Sequence, residues 1–229
     1  MSVADNLLYL SENIRHMRRL LSTIAVSLFC ICSFSQSVGV KDIEKNADKS
    51  YGKNIESAAL ALANEFPLND DGEFEITRII EAQGKSKDEI YVALNYWFTS
   101  NFKNANGAIK LNDKELGTII ANAYVNDAVV HTGGMNKYWV NIEYVIKCDI
   151  KDGRARVRFT APGYSVEVRD ALGIYSRENW PISKCYPYDQ GDKKKKTSSK
   201  ALVMVCSLSM LLEDDIEKTL EKVTSDDDW

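Results

Sequence analysis

The segment YWVNIEYVIKCDIKDGRARVRFT, residues 138–160, decides the fold. It contains two runs of alternating apolar and polar side chains, Tyr138–Ile150 and Arg154–Thr160. Between them, Asp152-Gly153 is a two-residue turn of the type that matches the twist of paired strands. A hairpin closed at this turn aligns three apolar pairs on one face: Ile150 with Ala155, Cys148 with Val157, and Ile146 with Phe159. Because a slip of one residue would bury charge, the pattern predicts a single register.

The opposite face of this hairpin is predicted to be charged and open to solvent. Its residues pair across the two strands, Asp149 with Arg156 and Lys147 with Arg158, and Glu143 lies further along. The arginines Arg154, Arg156 and Arg158 are candidates for binding an anionic partner. The carboxylates opposite them instead favour an ordinary solvated face, because opposite charges pair across strands.

A strand and a helix are predicted before the hairpin. FEITRIIEAQ, residues 74–83, is rich in β-branched residues and predicts a strand that Gly84 ends. Ser86-Lys87-Asp88-Glu89 is a capping box and predicts a helix start. The helix that follows carries an apolar stripe at three-to-four spacing: Ile90, Tyr91, Leu94, Trp97, Phe98 and Phe102.

The remaining elements are predicted with less regular patterns. Two short strands are expected at 108–111 and 117–125, joined by a turn at Asn112-Asp113 and followed by a loop at Thr132–Gly134. A short strand is expected at Tyr164–Val168. A helix beginning near Ser199 is predicted from a stripe of apolar residues: Val205, Leu208, Leu212, Ile216, Leu220 and Val223.

The order of these elements predicts an α+β fold, an antiparallel sheet of about four to five strands with helices on one face and a long C-terminal helix. The expected divisions are a signal peptide at 1–35, a polar segment with a short helix at 36–65, the α+β domain at 66–170, an aromatic and lysine-rich loop at 171–198, and the C-terminal helix with an acidic tail at 199–229.

Several short motifs resemble an uncharacterised domain family of exported Bacteroidetes proteins. They are Phe74-Glu75-Ile76-Thr77, the run from Gly84 to Tyr91, Trp97-Phe98 and Gly117-Thr118-Ile119. The likeness covers residues 66–160 and leaves out the C-terminal third. Ala121-Asn122-Ala123 departs from the family pattern, in which a glycine is expected. The resemblance implies a fold like that of the TATA-binding protein, and it implies no biochemical function.

The N-terminus has the layout of a secretory signal peptide. Arg18 and Arg19 precede an apolar run from Leu20 to Cys32, and small residues stand at Ser33 and Ser35. The run has 13 residues, whereas a membrane-spanning helix needs about 20. We therefore expect export to the periplasm or cell envelope and cleavage after Ser35, with Met17 as a possible true start.

Charge and cysteine content limit the partners and the chemistry. The chain has a net charge of −4, and cleavage after Ser35 would leave −5 because the removed segment holds three basic and two acidic residues. An acidic chain with a single copy of the domain is a poor candidate for nucleic acid. The remaining cysteines are Cys148, Cys185 and Cys206, which allow at most one intramolecular disulfide and leave its pairing open.

Catalytic candidates are few. His131 is the one histidine after the signal segment, so the usual histidine zinc site cannot be built, and no metal or cofactor is expected. A nucleophile and base formed by Cys185 and His131 has no support from spacing. The pairs Asp70-Asp71 and Asp214-Asp215 offer carboxylates for acid–base chemistry, but adjacent acids point in different directions and are usually solvated.

Two further stretches are candidate contact sites. Trp180, Tyr186 and Tyr188 lie beside prolines, as an exposed recognition loop would, or they cover the edge of the core. The run Lys193–Lys196 is suited to anionic head groups or polysaccharide, or it is a mobile solvated loop.

The leading hypothesis is a non-enzymatic envelope domain that binds a protein or small ligand through the open sheet face or the 180–188 loop. The alternative is a hydrolase with an unrecognised site.

Overall fold

The computed structural model describes residues 54–102 and 105–225. The helices are α1 Ile55–Glu65, α2 Lys87–Asn101, the single turn α3 Ala105–Ala108, a 3₁₀ turn at Ile182–Lys184, and α4 Lys195–Ser225. The strands are β1 Phe74–Glu81, β2 Ile109–Asp113, β3 Thr118–Gly133, β4 Asn136–Lys151, β5 Arg154–Arg169 and β6 Tyr175–Pro181. The predicted signal segment, its cleavage site and the acidic tail at 226–229 lie outside the described residues.

The six strands form one antiparallel sheet in the order β1-β5-β4-β3-β2, with β6 also paired to β5. β1 pairs with the first half of β5, from Arg154 to Ala161, and β6 pairs with the second half, from Gly163 to Arg169. The two short strands therefore lie end to end along β5. Residue 163 is a glycine because a Cβ there would lie 2.4 Å from the Trp180 carbonyl oxygen of β6.

The hairpin predicted from the sequence is present in the predicted register. Ile150 lies opposite Ala155, Cys148 opposite Val157, and Ile146 opposite Phe159. All six are buried on the face that carries the helices. The α+β class and the antiparallel sheet are thus confirmed, with six strands rather than four to five.

The helices cover one face of the sheet. The capping box of α2 forms as expected: the Glu89 backbone N–H donates to Ser86 Oγ at 3.3 Å, and the Ser86 N–H donates to Glu89 Oε2 at 2.7 Å. α1 and α2 pack against α4, which contacts β1, β3, β4 and β5. The first part of α4 is the most enclosed, since Ala201–Cys206 are all buried. The opposite face of the sheet has no described helix over it.

Some predicted boundaries are wrong. The stretch 171–198, expected to be a loop, contains β6 and the 3₁₀ turn, and α4 begins at Lys195 rather than near Ser199. The expected loop at Thr132–Gly134 is the end of β3 and a tight turn into β4. The strand expected at Tyr164–Val168 is the second half of β5, which runs on from the hairpin. The turn placed at Asn112-Asp113 falls later, between β2 and β3.

Within residues 54–102 and 105–225, none of the helices combines the length and the apolar character needed to cross a membrane.

Candidate functional site

Four residues on the open face form what we call the aromatic–cation patch: Lys137, Trp139, Arg169 and Tyr175. The Trp139 and Tyr175 rings are stacked, with centroids 6.1 Å apart and an angle of 29° between their planes. Lys137 Nζ lies 4.7 Å from the Trp139 ring centre, and the Arg169 guanidinium lies 5.6 Å from that of Tyr175. The patch therefore presents two flat rings with a cation at each end.

The strand register brings these four residues together. Lys137 of β4 pairs with Arg169 of β5, which pairs with Tyr175 of β6, so the three form one row across the sheet. Trp139 lies two residues along β4 on the same face and reaches Tyr175 diagonally. Tyr175 is 62% exposed although it is a large aromatic residue. The patch thus depends on β6, which the sequence pattern did not predict.

The other half of the open face carries ion pairs. Arg156 Nη2 lies 2.7 Å from Asp149 Oδ2, and Arg158 Nε lies 3.5 Å from Glu75 Oε1. Burial would raise the pKa of Asp149, but its hydrogen bond from Arg156 and the nearby Lys147 outweigh that effect and hold the pKa below the usual aspartate value. The arginines proposed as an anion site are therefore partly neutralised by carboxylates of the sheet itself.

Beyond the patch, the sheet ends in two turns whose exposed side chains Met135, Leu172 and Ile174 we call the apolar tips. Met135 is 81% exposed, Leu172 85% and Ile174 61%. The Asp170 carboxylate shapes the second turn, because its Oδ1 accepts hydrogen bonds of 2.9 Å from the backbone N–H groups of Leu172 and Ile174.

A cleft of about 370 Å³ lies on the helix side of the same end of the sheet. It is lined by the run Lys193–Lys196 together with His131, Gly133, Gly134, Tyr138 and Thr197, among others. His131 Nδ1 lies 2.8 Å from Thr197 Oγ1, so the histidine contacts the first turn of α4. In place of the expected mobile loop, Lys193 and Lys194 form a turn and Lys195 and Lys196 begin α4. The ammonium groups of Lys194 and Lys195 lie over the rings of Trp180 and Tyr186.

Asp192 holds the segment before α4 in place. Its carboxylate accepts hydrogen bonds from the Lys194 N–H at 2.8 Å, the Tyr186 N–H at 3.1 Å and the Ser198 hydroxyl. Burial would raise the pKa of Asp192, but these hydrogen bonds, that of Ser198 first, lower it below the usual value. Asp192 therefore fixes the turn that carries Lys193 and Lys194 and joins it to Ser198 of α4.

The aromatic recognition loop proposed at residues 180–188 is wrong. Trp180 and Tyr186 are buried, with exposures of 7% and 8%, and the Tyr138 and Trp180 ring centres are 5.8 Å apart. Tyr188 donates a hydrogen bond of 2.9 Å to the Phe66 carbonyl oxygen. The prolines and aromatic residues of this stretch close the core over α1, which was the other interpretation of the sequence.

The cysteine proposed as a nucleophile lies in the core of the domain. Cys185 is buried, and burial raises the pKa of its thiol to about 12, which disfavours the reactive thiolate. Cys148, Cys185 and Cys206 are all buried free thiols. In the described part of the chain, no group of three or more histidine, cysteine or acidic residues is placed to hold a metal ion.

The two acidic pairs do not converge on one site. Asp70 and Asp71 are exposed in the turn before β1. Asp214 lies 3.0 Å from the Arg78 guanidinium, whereas Asp215 accepts a hydrogen bond of 2.7 Å from the Trp97 indole. Each member of the second pair therefore contacts a different element.

An antiparallel sheet with helices on one face and an open face opposite defines an α+β domain of the TBP-like class. Within this class, the sequence model of a domain of unknown function with a TBP-like fold, DUF4468, matches residues 77–165 of the chain. This match confirms the resemblance found in the sequence. It ends within β5, so β6, α4 and half of the aromatic–cation patch lie outside the matched residues.

Two solved structures are similar to this chain. One is a TBP-like protein from Parabacteroides distasonis, with 15% identity and a TM-score of 0.48, over 70% of this chain and 97% of that one. The other is a DUF4468 family protein from Bacteroides ovatus, with 14% identity and a TM-score of 0.42, over 77% of this chain and 94% of that one. None of the curated proteins compared with the chain matches it.

Proposed function

We propose that this protein is a non-enzymatic binding domain of the cell envelope, whose ligand, a protein or a small molecule, binds the open face of the sheet at the aromatic–cation patch. The observation that supports this proposal is the stack of the half-buried Trp139 ring on the exposed Tyr175 ring, between Lys137 and Arg169. The 180–188 segment does not offer such a surface, because Trp180 and Tyr186 are buried.

The patch has the physical properties of a contact site. Aromatic rings contribute large contact areas for little loss of side-chain freedom, and they are enriched where proteins bind partners. Each ring here is held by its stacked neighbour and by a cation, so binding would order few further groups. A ligand with a flat or apolar part and a negative group would fit the two rings and their flanking cations.

Export is the second part of the proposal, and it rests on the signal-like segment at 1–35. Intact-mass analysis of the protein recovered from an envelope fraction tests it. A mature chain that begins at Gln36 supports export with cleavage. An uncut chain in the cytoplasmic fraction would contradict it.

The binding proposal is tested by ligand-induced thermal shifts, with a panel of soluble peptides, oligosaccharides and small organic anions as probes. A Trp139→Ala variant should lose the shift that the parent shows, because the stacking surface is gone. Tyr96→Ala is the matched control, since Tyr96 is an aromatic residue, 71% exposed, on α2. A shift that survives in Trp139→Ala would place the ligand elsewhere.

The rival hypothesis, a hydrolase, is tested in parallel. Parent protein is incubated with chromogenic ester, phosphate and glycoside substrates, and any turnover is compared between the parent and a Cys185→Ser variant and a His131→Gln variant. Turnover that either substitution abolishes would replace the binding proposal with an enzymatic one.

A further inference from the structure

We infer that the end of the domain carrying the apolar tips docks on an anionic lipid surface. The inference goes beyond the proposed function, because it assigns the turns at the rim of the sheet and the cations around them, not the binding of a soluble ligand to the patch.

The two turns lie side by side. Met135 is in the turn between β3 and β4, and Leu172 and Ile174 are in the turn between β5 and β6. β4 and β5 are paired up to this end, where Lys137 lies opposite Arg169. The three large apolar side chains therefore project from adjacent corners of one end of the sheet.

Transfer of exposed apolar side chains of this size from water into the outer part of a bilayer lowers their free energy. Scattered single residues need no explanation, whereas a cluster at one end of a domain marks an interaction site. Trp139 and Tyr175 lie directly behind the tips on the open face. Tryptophan and tyrosine are the residues enriched at the level of lipid head groups.

Cations flank the tips on both faces of the sheet. On the open face, Lys137 and Arg169 lie next to the turns. On the helix side, the run Lys193–Lys196 lines the cleft together with Gly133 and Gly134, the residues just before Met135. Basic side chains around an inserted apolar segment are attracted to the phosphates of anionic lipids and strengthen binding to the surface.

The acidic residues near this end are Glu56 and Asp192, which line the cleft, Asp189 just before the lysine run, and Glu167 and Asp170. Asp170 and Asp192 accept backbone N–H groups within their own turns, and Glu167 is paired with Arg177 at 2.7 Å. Counted as formal charges, Lys137, Arg169, Arg177 and Lys193–Lys196 give +7 and these five acids give −5, so this group of residues is net positive although the chain as a whole has a net charge of −4. Far along α4 the balance is reversed, because Glu213, Asp214, Asp215, Glu217 and Glu221 outnumber Lys218 and Lys222. This polarity would orient the domain with its tips toward a negative surface.

The test uses full-length protein and quenching by brominated lipids. A tryptophan is introduced at a tip by Leu172→Trp, and Leu116→Trp is the matched control. Leu116 is 71% exposed in the turn between β2 and β3, at the opposite end of β3. We expect vesicles of brominated phosphatidylcholine with phosphatidylglycerol to quench the indole at 172 and not the one at 116, each measured against the parent.

A second variant measures the contribution of the tips. Leu172→Ser with Ile174→Ser should lower partitioning onto phosphatidylglycerol vesicles by about tenfold or more, while the melting temperature stays within a few degrees of that of the parent. Leu116→Ser should leave partitioning unchanged. All variants keep residues 1–53, so a lipid contact made by the apolar run at 20–32 is present in each, and the difference in quenching between positions 172 and 116 reports on the tips alone.

Several outcomes would overturn the inference. One is quenching at neither position, or equally at both. Another is equal binding of the parent to pure phosphatidylcholine, which would remove the role of the anionic head group. Neither of these results bears on thermal shifts with soluble probes, so failure of the lipid inference and failure of the proposed function are distinguishable.

Discussion

The indole Nε1 of Trp97 donates a hydrogen bond of 2.7 Å to Asp215 Oδ2 and thereby joins α2 to α4 across 118 residues of sequence. Trp97 is only 2% exposed. A buried indole N–H without an acceptor loses the hydrogen bond it makes to water in the unfolded chain. The carboxylate of Asp215 therefore has a structural role.

Removing this acceptor should destabilise the fold. Asp215→Ala is expected to lower the free energy of unfolding by about 1–3 kcal/mol, the cost of one unsatisfied buried donor. Urea denaturation followed by circular dichroism measures it. Asp70→Ala, an exposed acid in a turn, is the control and should change stability by less than about 0.5 kcal/mol. Equal stability of the two variants would show that the Trp97 hydrogen bond contributes nothing.

The two faces of the β4–β5 hairpin should respond oppositely to substitution. Val157 is 1% exposed, so Val157→Asp places an unpaired charge in the core and should cost several kcal/mol, enough to unfold a marginally stable domain. Arg156→Ser removes an ion pair at the surface and should cost less than about 1 kcal/mol. Thermal melts of both variants provide the measurement. If Arg156→Ser unfolds while Val157→Asp melts like the parent, the assignment of faces is reversed.

The hairpin and α2 were predictable because local chemistry and tertiary packing agree there. Asp152-Gly153 defines the turn, the period-two alternation defines the buried face, and Ser86 with Glu89 marks the start of a helix. Each of these signals lies within a few residues of what it determines. The open, charged face was predicted by the same alternation.

β6 and the length of β3 were not predictable for the opposite reason. YSRENWP, the sequence of β6, has no β-branched residue, and its pairing depends on the free edge of β5 beside Gly163. β3 passes through an irregularity at Asp127, whose φ is 51° and whose N–H donates to Asn141 Oδ1 at 2.8 Å. The acceptor of that hydrogen bond lies on the neighbouring strand β4, so no local sequence pattern predicts it.

The candidate site was predictable in part. Alternation places Trp139 on the same face as the hairpin arginines, but Tyr175 reaches it only through the pairing of β6. The start of α4 was missed because four lysines are a poor helix signal in isolation. Asp192, which orders the turn before the helix, accepts hydrogen bonds from residues up to six positions away on either side.

Gly163 should be the residue on which the docking of β6 depends. A Cβ at this position would lie 2.4 Å from the Trp180 carbonyl oxygen, so Gly163→Ala must push β6 away from β5. We expect a loss of stability of about 1–3 kcal/mol, as for other overpacked sites, and faster hydrogen exchange in 175–181. Gly133→Ala is the control, because the nearest atom to its Cβ would be at 3.4 Å. Exchange at 175–181 that is equally slow in both variants would contradict the close approach.

Asp192 should make the free energy of unfolding depend on pH in the acidic range. Its pKa in the folded protein is below the usual value of 3.8, so the stabilisation it provides is present above that value and is lost as the pH falls through the lower folded pKa. Asp192→Asn cannot titrate. Its melting temperature should therefore fall less steeply than that of the parent between about pH 5 and pH 3. Parallel slopes in that window would mean that Asp192 has the same pKa in the folded and unfolded chains.

Duplex DNA is a candidate ligand because the fold is TBP-like. We expect this protein to bind duplex DNA no more tightly than an unrelated acidic protein does. Affinity for duplex depends on neutralising phosphates, whereas this chain has a net charge of −4 and its open face carries Glu75, Glu143, Asp149 and Glu167 among the arginines. An anisotropy titration with a labelled duplex at physiological salt measures this. The triple variant Arg154→Ser, Arg156→Ser, Arg158→Ser is the control, because it removes the arginines of the open face. A salt-sensitive complex of micromolar affinity that this variant abolishes would place DNA on the open face and make the expectation wrong.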